Sequence, residues 1–449
     1  MRNTIGIRRE DLDKKGEQRV AIVPDALKRL HEWSFLVQPG QHPITGENKR
    51  AFPDARYAEV GAIVSEDLST AHVIFGLKEI DPTSLAFGKT YLFFSHTHKG
   101  QLKNRPILRA LTEHKATLID YELIADERNR RIVTAFTYYA GYAGMIDTLW
   151  ALGRRLSLAG QANPYARILQ AIDYGDLEQA KDALRNLGHL IRTEGTPADM
   201  PPLITCFLGT GKTSSGAREM YSLLPVQDVT IEDLPQIYAS GARDRVYQLV
   251  LDVPQMYRLR ADSPYQGTLL DSAAFYERYL QEPTHFESDL EQVFPYCTLL
   301  MNCVLWSPKY PRLLTRQDCN TWYARHQTLQ VIGDISCDPD GAIQFSQETW
   351  IDNPVFVYHP ASDTSTLGFE GAGIAVMAVT NLPCEFAADA SAQFCDDIKP
   401  LLPAILDADY SAASPEAAGL PEPVRRATIL WRGRFTPPFA YMQAFLEPA

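Results

Sequence analysis

Short apolar runs alternate with helical patterns through residues 3–120, and this alternation constrains the fold more than any other feature of the chain. The apolar runs lie at 3–7, 34–38, 71–77, 90–95 and 117–120. Helical patterns lie between them, at 24–32, 56–59 and 101–113. Because strands that alternate with helices usually pair in parallel, the pattern predicts an α/β layer with a mainly parallel sheet.

A second α/β unit is predicted after two long helical patterns, at 141–158 and 164–192, and the breaker GTPADMPP at 195–202. We expect its elements in this order: strand 203–208, a glycine turn, helix 214–224, strand 227–231, helix 232–239, and strands at 329–332 and 373–379. The last pattern, at 387–406, is that of an amphipathic helix that Pro400 and Pro403 must bend or interrupt.

The composition excludes several classes of protein. With 45% hydrophobic and 22% charged residues among 449, the chain is typical of a globular protein of two or three domains. A net charge of −12 without a basic stretch argues against nucleic acid as a partner. Residues 1–10 lack the apolar core of a signal peptide, and no run of about 18 apolar residues occurs, so we expect a cytoplasmic protein without a membrane partner. Seven cysteines without a CxxC pair suit reduced thiols better than disulfides or a metal site.

The stretch CFLGTGKTSSGA, residues 206–217, can be read as a phosphate loop or as a dinucleotide-binding turn. A phosphate loop needs a glycine where this chain has Cys206. A dinucleotide turn needs a strand, a tight glycine turn and a helix, and LITCFL, GTG and SSGAREMYSLL supply these in order. We therefore predict a cofactor turn, with a plain glycine-rich β–α turn as the alternative. Its residues are Gly209, Thr210, Gly211, Lys212 and Gly216, the last allowing the helix to pack closely on the strand.

The strand after this turn bears on the choice of cofactor. For NAD, an acid that binds the ribose 2′-hydroxyl is expected at the end of the next strand, which we place in LPVQDVTIEDL. Thr230 takes that position and Asp228 comes too early, which favours NADPH. A shift of a few residues would bring in Glu232 or Asp233 instead, so NADH stays the alternative.

Titratable side chains follow three of the predicted N-terminal strands. Lys78 and Glu79 come after 73–77, His96 and Lys99 come after 91–94, and Glu122 closes the strand that contains Ile119. Because the carboxyl ends of parallel strands meet at the ligand crevice of an open α/β sheet, we expect these side chains to form one cluster.

The chain resembles a known enzyme family over nearly its whole length. IGIRRED, EQRVAIVP, IFGLKEI, YLFFSHTHKGQ, LIDYELI and FTYYAGYAGM resemble the lysine–2-oxoglutarate reductase domain of bifunctional aminoadipic semialdehyde synthase, and more distantly fungal saccharopine dehydrogenase (lysine-forming) and alanine dehydrogenase. FLGTGKTSSGA, PRLLTRQD, GDISCDPDGAIQF and FEGAGIAVMAVTNLP continue it. The resemblance implies two Rossmann-like domains: a discontinuous catalytic domain of 1–137 and 346–449, and an inserted dinucleotide-binding domain of 138–345. The chain is expected to end where the reductase domain ends, without the saccharopine-oxidising domain.

The resemblance also implies a reaction, the NAD(P)H-dependent reductive condensation of L-lysine with 2-oxoglutarate to saccharopine. It implies that Lys78 and His96 are the acid/base pair, which suits an imidazole that titrates near neutral pH. Further roles carry over by position. Glu79 and Glu122 would tune the pair, Arg19, Lys99 and Arg131 would bind substrate carboxylates, and Asp338, with Asp334 as a competitor, would match an active-site aspartate of alanine dehydrogenase.

Several alternatives stay open at the sequence level. Lys78 and Glu79 could be a solvated strand end, and His96 and His98 could be half of a zinc site, although no further Cys/His pair completes it. The same fold could act on another amino acid and keto acid, as an opine-type or alanine-dehydrogenase-like enzyme, or could bind metabolites as a non-catalytic regulator. Animal reductase domains read GTGNVSKGA where this chain reads GTGKTSSGA, so Lys212 could touch a phosphate or point to solvent. The oligomeric state, a homodimer included, and a separate saccharopine-oxidising enzyme stay open as well.

Overall fold

The computed structural model describes residues 3–446, and the chain forms two compact units. The first unit combines Met1–Phe136 with Ala387–Ala449, and the second is Thr137–Phe386. The first unit is therefore discontinuous in sequence.

The N-terminal segment of the first unit alternates short strands with short helices. Its elements are β1 (Thr4–Ile7), α1 (Pro24–Leu27), β2 (Ser34–Val37), α2 (Asp54–Glu59), β3 (Ile63–Val64), β4 (Val73–Phe75), β5 (Thr90–Phe93), α3 (Arg105–Glu113) and β6 (Thr117–Asp120). Every residue of β4, β5 and β6 is buried, as expected for parallel strands covered on both faces. The helix predicted at 24–32 ends at Leu27, because the chain continues in tight turns such as that from Leu30 N–H to the Leu27 carbonyl.

The second unit begins within a long helix, and its elements follow in chain order. They are α4 (Ala135–Leu158), α5 (Leu177–Glu194), β7 (Ile204–Leu208), α6 (Lys212–Tyr221), β8 (Val226–Asp228), α7 (Leu234–Ser240), β9 (Val246–Leu251), α8 (Val253–Met256), β10 (Tyr257–Leu259), α9 (Ser272–Gln281), β11 (Phe286–Ser288), β12 (Leu299–Asn302), α10 (Arg316–Tyr323), β13 (Val331–Asp334), β14 (Val355–His359), β15 (Thr364–Leu367) and β16 (Ile374–Met377).

The single helix predicted at 164–192 is wrong in its first half. Pro164–Arg167 and Ala171–Asp173 form only 3-10 turns, and α5 begins later, after Asp176. The Asp176 carboxylate accepts the N–H of Gln179 at 2.8 Å, which makes it an N-cap. Asp176 therefore marks the start of α5 and does not lie within a longer helix.

The C-terminal segment returns to the first unit. Its elements are α11 (Ala387–Ile398), α12 (Leu402–Asp407), α13 (Glu422–Arg426), β17 (Thr428–Trp431) and β18 (Arg434–Phe435). The interruption predicted at the prolines is confirmed, because α11 ends at Ile398 and a new helix starts at Leu402.

The sheet of the first unit has the order β18-β17-β6-β5-β4-β1-β2-β3. Strands β1 to β6 pair in parallel, and β17 and β18 add an antiparallel edge. Because β4, β5 and β6 are neighbours in register, the chain leaves the sheet at three adjacent points after Phe75, Phe93 and Asp120.

The sheet of the second unit has the order β15-β14-β16-β13-β12-β7-β9-β8. Six consecutive strands of this sheet pair in parallel, in the order β16-β13-β12-β7-β9-β8. β14 pairs antiparallel with β16, and β15 pairs antiparallel with β14. Strands β14 to β16 belong to this sheet, in which β16 pairs with β13 and β14 with β16, so the return predicted at residue 346 lies too early and the chain re-enters the first unit at Ala387. The two parallel-rich sheets confirm the predicted α/β, Rossmann-like fold class. Within residues 3–446, no helix has the length and apolarity needed to cross a membrane.

Candidate active site

His96 lies just beyond β5 and forms a close pair with Glu79. Its Nδ1 atom is 2.7 Å from Oε1 of Glu79, and Lys14 Nζ lies 3.8 Å from Oε2 of the same carboxylate. Burial alone would raise the pKa of Glu79, but the hydrogen bond and charge of His96, together with Lys14, lower it to about 2. Glu79 is therefore an anion at neutral pH, and it accepts the Nδ1 proton of the imidazole.

The backbone at His96 is held in an uncommon conformation. Its φ angle is 50°, in the left-handed region that a non-glycine residue adopts only when the surroundings fix it. Asp120 provides this restraint, because its carboxylate accepts the N–H of Ser95 at 3.0 Å and the hydroxyl of Ser95 at 2.6 Å. Asn104 also donates to the His96 carbonyl at 3.2 Å. No pattern in the sequence indicated this role for Asp120.

Lys78 follows β4 and is half-buried. Its backbone N–H donates to the carboxylate of Glu10, whereas no ion pair among residues 3–446 involves its amine. Lys78 and Glu79 lie side by side in sequence, and Glu79 contacts His96. The structure therefore places the predicted acid/base residues at adjacent strand ends of one sheet.

Glu122 belongs to a second cluster, which also contains Lys99, Arg131 and His98. Its Oε1 atom is 2.8 Å from Lys99 Nζ and 2.8 Å from Arg131 Nη2, and its Oε2 atom is 3.8 Å from His98 Nε2. Burial opposes ionisation of Glu122, but the hydrogen bond from Lys99 and the nearby positive charges lower its pKa. The two glutamates thus have different partners: Glu79 is hydrogen-bonded to His96, and Glu122 forms ion pairs with Lys99 and Arg131.

Arg19 is almost fully buried, with 4% of its surface exposed. Its Nε atom donates to Oε1 of Glu17 at 2.9 Å and its Nη2 atom to Oε2 at 2.6 Å, a two-point contact. The guanidinium also lies 4.1 Å from the centre of the Phe136 ring. Sequence reasoning missed Glu17, although residues two apart in an extended segment share one face.

The glycine turn of the second unit connects β7 directly to α6. Gly209 has φ of 91°, and Gly211 is the N-cap residue of α6 without a side chain that could cap it. Cys206 lies fully buried inside β7, so the loop is too short for a phosphate loop. A helix N-terminus that begins with an uncapped glycine turn is suited to an anionic pyrophosphate, so residues Gly209 to Lys212 fit a dinucleotide.

Gly216 has a different packing role from the one predicted. A Cβ atom at Gly216 would lie 2.5 Å from the carbonyl oxygen of Tyr138, and one at Gly141 would lie 2.3 Å from that of Thr213. The two glycines therefore allow close contact between helices α6 and α4. The expected contact of Gly216 with a strand is wrong.

The strand next to the glycine turn is also different from the one assumed. β7 pairs with β9, and the N–H of Gly209 donates to the Leu251 carbonyl at 2.9 Å. Asp252 follows β9 directly, is exposed, and accepts the N–H of Val253 at 2.8 Å as the N-cap of α8. The strand with Asp228 is β8, the outer edge of the sheet, so Thr230 does not follow the strand beside β7, as the prediction of the cofactor had assumed.

The two candidate aspartates after β13 differ in their surroundings. Asp334 is 1% exposed and accepts hydrogen bonds from Asn302 at 2.7 Å, from the hydroxyl of Ser346, and from the N–H of Cys337 at 3.2 Å. Asp338 is exposed, and partial desolvation by the surrounding residues raises its pKa. Asp334 therefore holds the loop together, and Asp338 is the better candidate for a group that meets a ligand. In residues 3–446, no cluster of three His, Cys, Asp or Glu side chains is suited to a metal ion.

Comparison with known proteins shows a family match to the first part of the chain and similar proteins over nearly its whole length. Residues 6–143 match the family described as Alanine dehydrogenase/PNT, N-terminal domain. The chain is 32% identical to alpha-aminoadipic semialdehyde synthase of Arabidopsis thaliana, over 98% of this chain and 41% of that protein. It is also 32% identical to the mitochondrial alpha-aminoadipic semialdehyde synthase of Rattus norvegicus, over 99% of this chain and 48% of that protein. The chain thus spans less than half the length of these relatives.

Two solved structures share the fold. An L-alanine dehydrogenase superposes with a TM-score of 0.61 at 16% identity, covering 99% of this chain and all of the other. A transhydrogenase from Sinorhizobium meliloti superposes with a TM-score of 0.57 at 15% identity, covering 96% of this chain and all of the other. At these identities the likeness supports the architecture of the two sheets.

Proposed function

We propose that the chain condenses L-lysine with 2-oxoglutarate and reduces the product to saccharopine with NAD(P)H, because it is similar to alpha-aminoadipic semialdehyde synthases over nearly its whole length and to a lysine-forming saccharopine dehydrogenase over part of it. One observation carries the proposal: the His96–Glu79 pair, Lys78 and the cationic cluster around Glu122 occupy neighbouring strand ends. An acid/base pair beside cations is the arrangement that an amine and a dicarboxylic keto acid require.

The proposed reaction needs two proton transfers before reduction. The ε-amine of lysine attacks the ketone carbon of 2-oxoglutarate, and a proton passes from the nitrogen to the former ketone oxygen. The resulting hydroxyl then takes a second proton and leaves as water, giving a protonated imine. Glu79 is an anion that holds the Nδ1 proton of His96, which leaves Nε2 of His96 to exchange a proton with the substrate. Lys78 is the second proton carrier in this scheme, and its amine has no competing ion pair within residues 3–446.

Lys99 and Arg131 are proposed to bind a carboxylate of 2-oxoglutarate. They are 47% and 48% exposed at the side chain, so an incoming anion can reach both. Two cations share one carboxylate, that of Glu122, so positive charge remains for a substrate anion. Arg19 is proposed to contribute to substrate binding from its buried pair with Glu17, and Asp338 is proposed as a further ligand-binding residue.

The proposed cofactor site is the glycine turn. The backbone of Gly209, Thr210, Gly211 and Lys212 and the N-terminus of α6 would hold the pyrophosphate, and Gly216 lets α6 lie close to α4. When bound, the dinucleotide supplies the hydride that reduces the imine carbon. Asp252 stands at the end of the strand beside the turn, where an acid accepts the ribose 2′-hydroxyl, so we propose NADH in place of the NADPH favoured by the sequence.

A substrate panel followed at the NAD(P)H absorbance band tests the proposal. Lysine, ornithine and ammonia are each combined with 2-oxoglutarate or pyruvate, and each pair is assayed with NADH and with NADPH. We expect turnover with lysine and 2-oxoglutarate, faster with NADH at equal concentration. Turnover with ammonia and pyruvate alone would indicate an alanine-dehydrogenase-like enzyme, and binding without turnover would indicate a regulatory protein.

We propose that saccharopine is oxidised by a catalytic unit outside residues 1–449.

A further inference from the structure

The carboxylate of Glu10 lies against the bend that carries Lys78. Its Oε1 atom accepts the N–H of Leu77 at 2.8 Å, and its Oε2 atom accepts the N–H of Lys78 at 2.9 Å. Glu10 is only 3% exposed, so water does not compete for these donors. A carboxylate that binds two successive backbone N–H groups fixes both peptide planes, and with them the direction in which the Lys78 side chain leaves the backbone.

A second hydrogen bond completes this restraint. The N–H of Phe94, just beyond β5, donates to the Leu77 carbonyl at 2.9 Å. The peptide that joins Leu77 to Lys78 is therefore held at both ends. Its N–H group donates to Glu10, and its carbonyl accepts the N–H of Phe94, on the segment that leads to His96. Gly76 provides the space, because a Cβ atom there would lie 3.0 Å from Arg8 Cδ and 3.5 Å from Glu10 Oε1.

The contact requires a carboxylate and not merely a polar side chain. Burial raises the pKa of Glu10, while Arg8, with Nη1 at 3.8 Å from Oε2, and the two backbone donors favour the anion. A glutamine could accept only one of the two N–H groups, and its own NH₂ would face the other donor. One buried donor would then lack a partner, which a folded protein can correct only by moving the bend.

We propose that Glu10 is a positioning residue for the reaction, which acts by fixing the backbone of Lys78; this inference depends on the proposed role of Lys78. Glu10 does not touch the substrate. Its effect on the rate passes through the placement of the Lys78 amine, for which a displacement of about 1 Å can cost a hundredfold in rate.

The variant E10Q tests the inference in the full chain, with lysine, 2-oxoglutarate and NADH as substrates. We expect kcat to fall about tenfold to a hundredfold, with both substrate KM values within about twofold of wild type. The matched control is D11N, because Asp11 Oδ2 accepts the N–H of Asp81 at 2.8 Å between the same two segments. D11N should keep kcat within about twofold of wild type. Should E10Q not fold, E10D keeps the charge but is too short to reach both donors, and it is expected to lower kcat in the same way.

A double-mutant cycle with K78M separates positioning from general loosening of the fold. If Glu10 acts through Lys78, E10Q lowers kcat in the wild-type background and leaves the residual rate of K78M unchanged. An equal fall in both backgrounds would overturn the positioning role, as would an E10Q enzyme with wild-type kcat while K78M is impaired. If K78M itself turned over at the wild-type rate, the role of Lys78 would fail, and the role of Glu10 with it.

Discussion

Replacing Gly216 with alanine should separate two helices of the second unit. The added Cβ would lie 2.5 Å from the Tyr138 carbonyl oxygen, whereas ordinary contacts begin at 3.4 Å. Helices α6 and α4 must therefore move apart by about 0.9 Å, because the obstacle is backbone that cannot rotate away. The movement displaces the N-terminus of α6, and with it the turn proposed to hold the pyrophosphate.

The expected energy follows from two opposing effects. Overpacking a tight contact costs about 1–3 kcal/mol, and the better helix propensity of alanine returns about 1 kcal/mol. We expect a net loss of up to about 2 kcal/mol, which lowers the Tm of a unit of this size by a few degrees, up to about 8 °C.

Thermal unfolding and NADH titration check this prediction together. S222A, which adds no atoms at the exposed C-terminal end of the same helix, is the control and should keep both the Tm and the NADH affinity. We expect G216A to unfold at a lower temperature and to bind NADH more weakly. A G216A protein with unchanged Tm and unchanged NADH affinity would refute the close helix contact and its link to the cofactor turn.

Three further predictions follow from the site and its surroundings. D252S keeps a residue that can cap α8 but removes the carboxylate, so the ratio of kcat/KM for NADH over NADPH should fall at least about tenfold; an unchanged ratio would exclude Asp252 as the ribose ligand. R131Q should raise the KM for 2-oxoglutarate about tenfold or more with little change in kcat, and an unchanged KM would remove Arg131 from the substrate site. Asp147 and Glu385 form a buried carboxyl pair in the second unit, and burial raises the pKa of Asp147 from 3.8 to about 7. Since the unfolded chain releases this proton first, wild-type stability should fall as pH rises from about 4 to 7, and urea unfolding of D147N should show a shallower fall; an identical pH dependence would contradict the shared proton.

The limits of a strand could be predicted from the sequence wherever the strand is buried on both faces, because such a strand is a continuous apolar run. The limits of β6 match the prediction at 117–120, and β7 differs by one residue at its start. The break after α11 was predictable because proline cannot continue a helix. The order of strands in the sheet was not, since a run such as 226–228 reads alike whether it pairs with β7 or lies at the edge. For that reason the strand that leads to Thr230 was taken for the neighbour of β7.

The strand ends that carry the candidate site were predictable in position, but the partners of their side chains were not. Lys78, His96 and Glu122 follow apolar runs, and the convergence of parallel strands brings them to one edge. The sequence could not separate Glu79 from Glu122, because their different partners depend on side-chain direction after the strand. Glu10 and Asp120 were missed as well, since a buried carboxylate that binds backbone N–H groups leaves no periodic pattern.

The most direct test of the account is the mass of the product formed by the purified chain from lysine, 2-oxoglutarate and NADH, with K78M and H96Q assayed beside it. We expect one saccharopine for each NADH oxidised, and a loss of at least about a hundredfold in rate in both variants. NADH oxidation without saccharopine, or variants that keep the wild-type rate, would contradict the account.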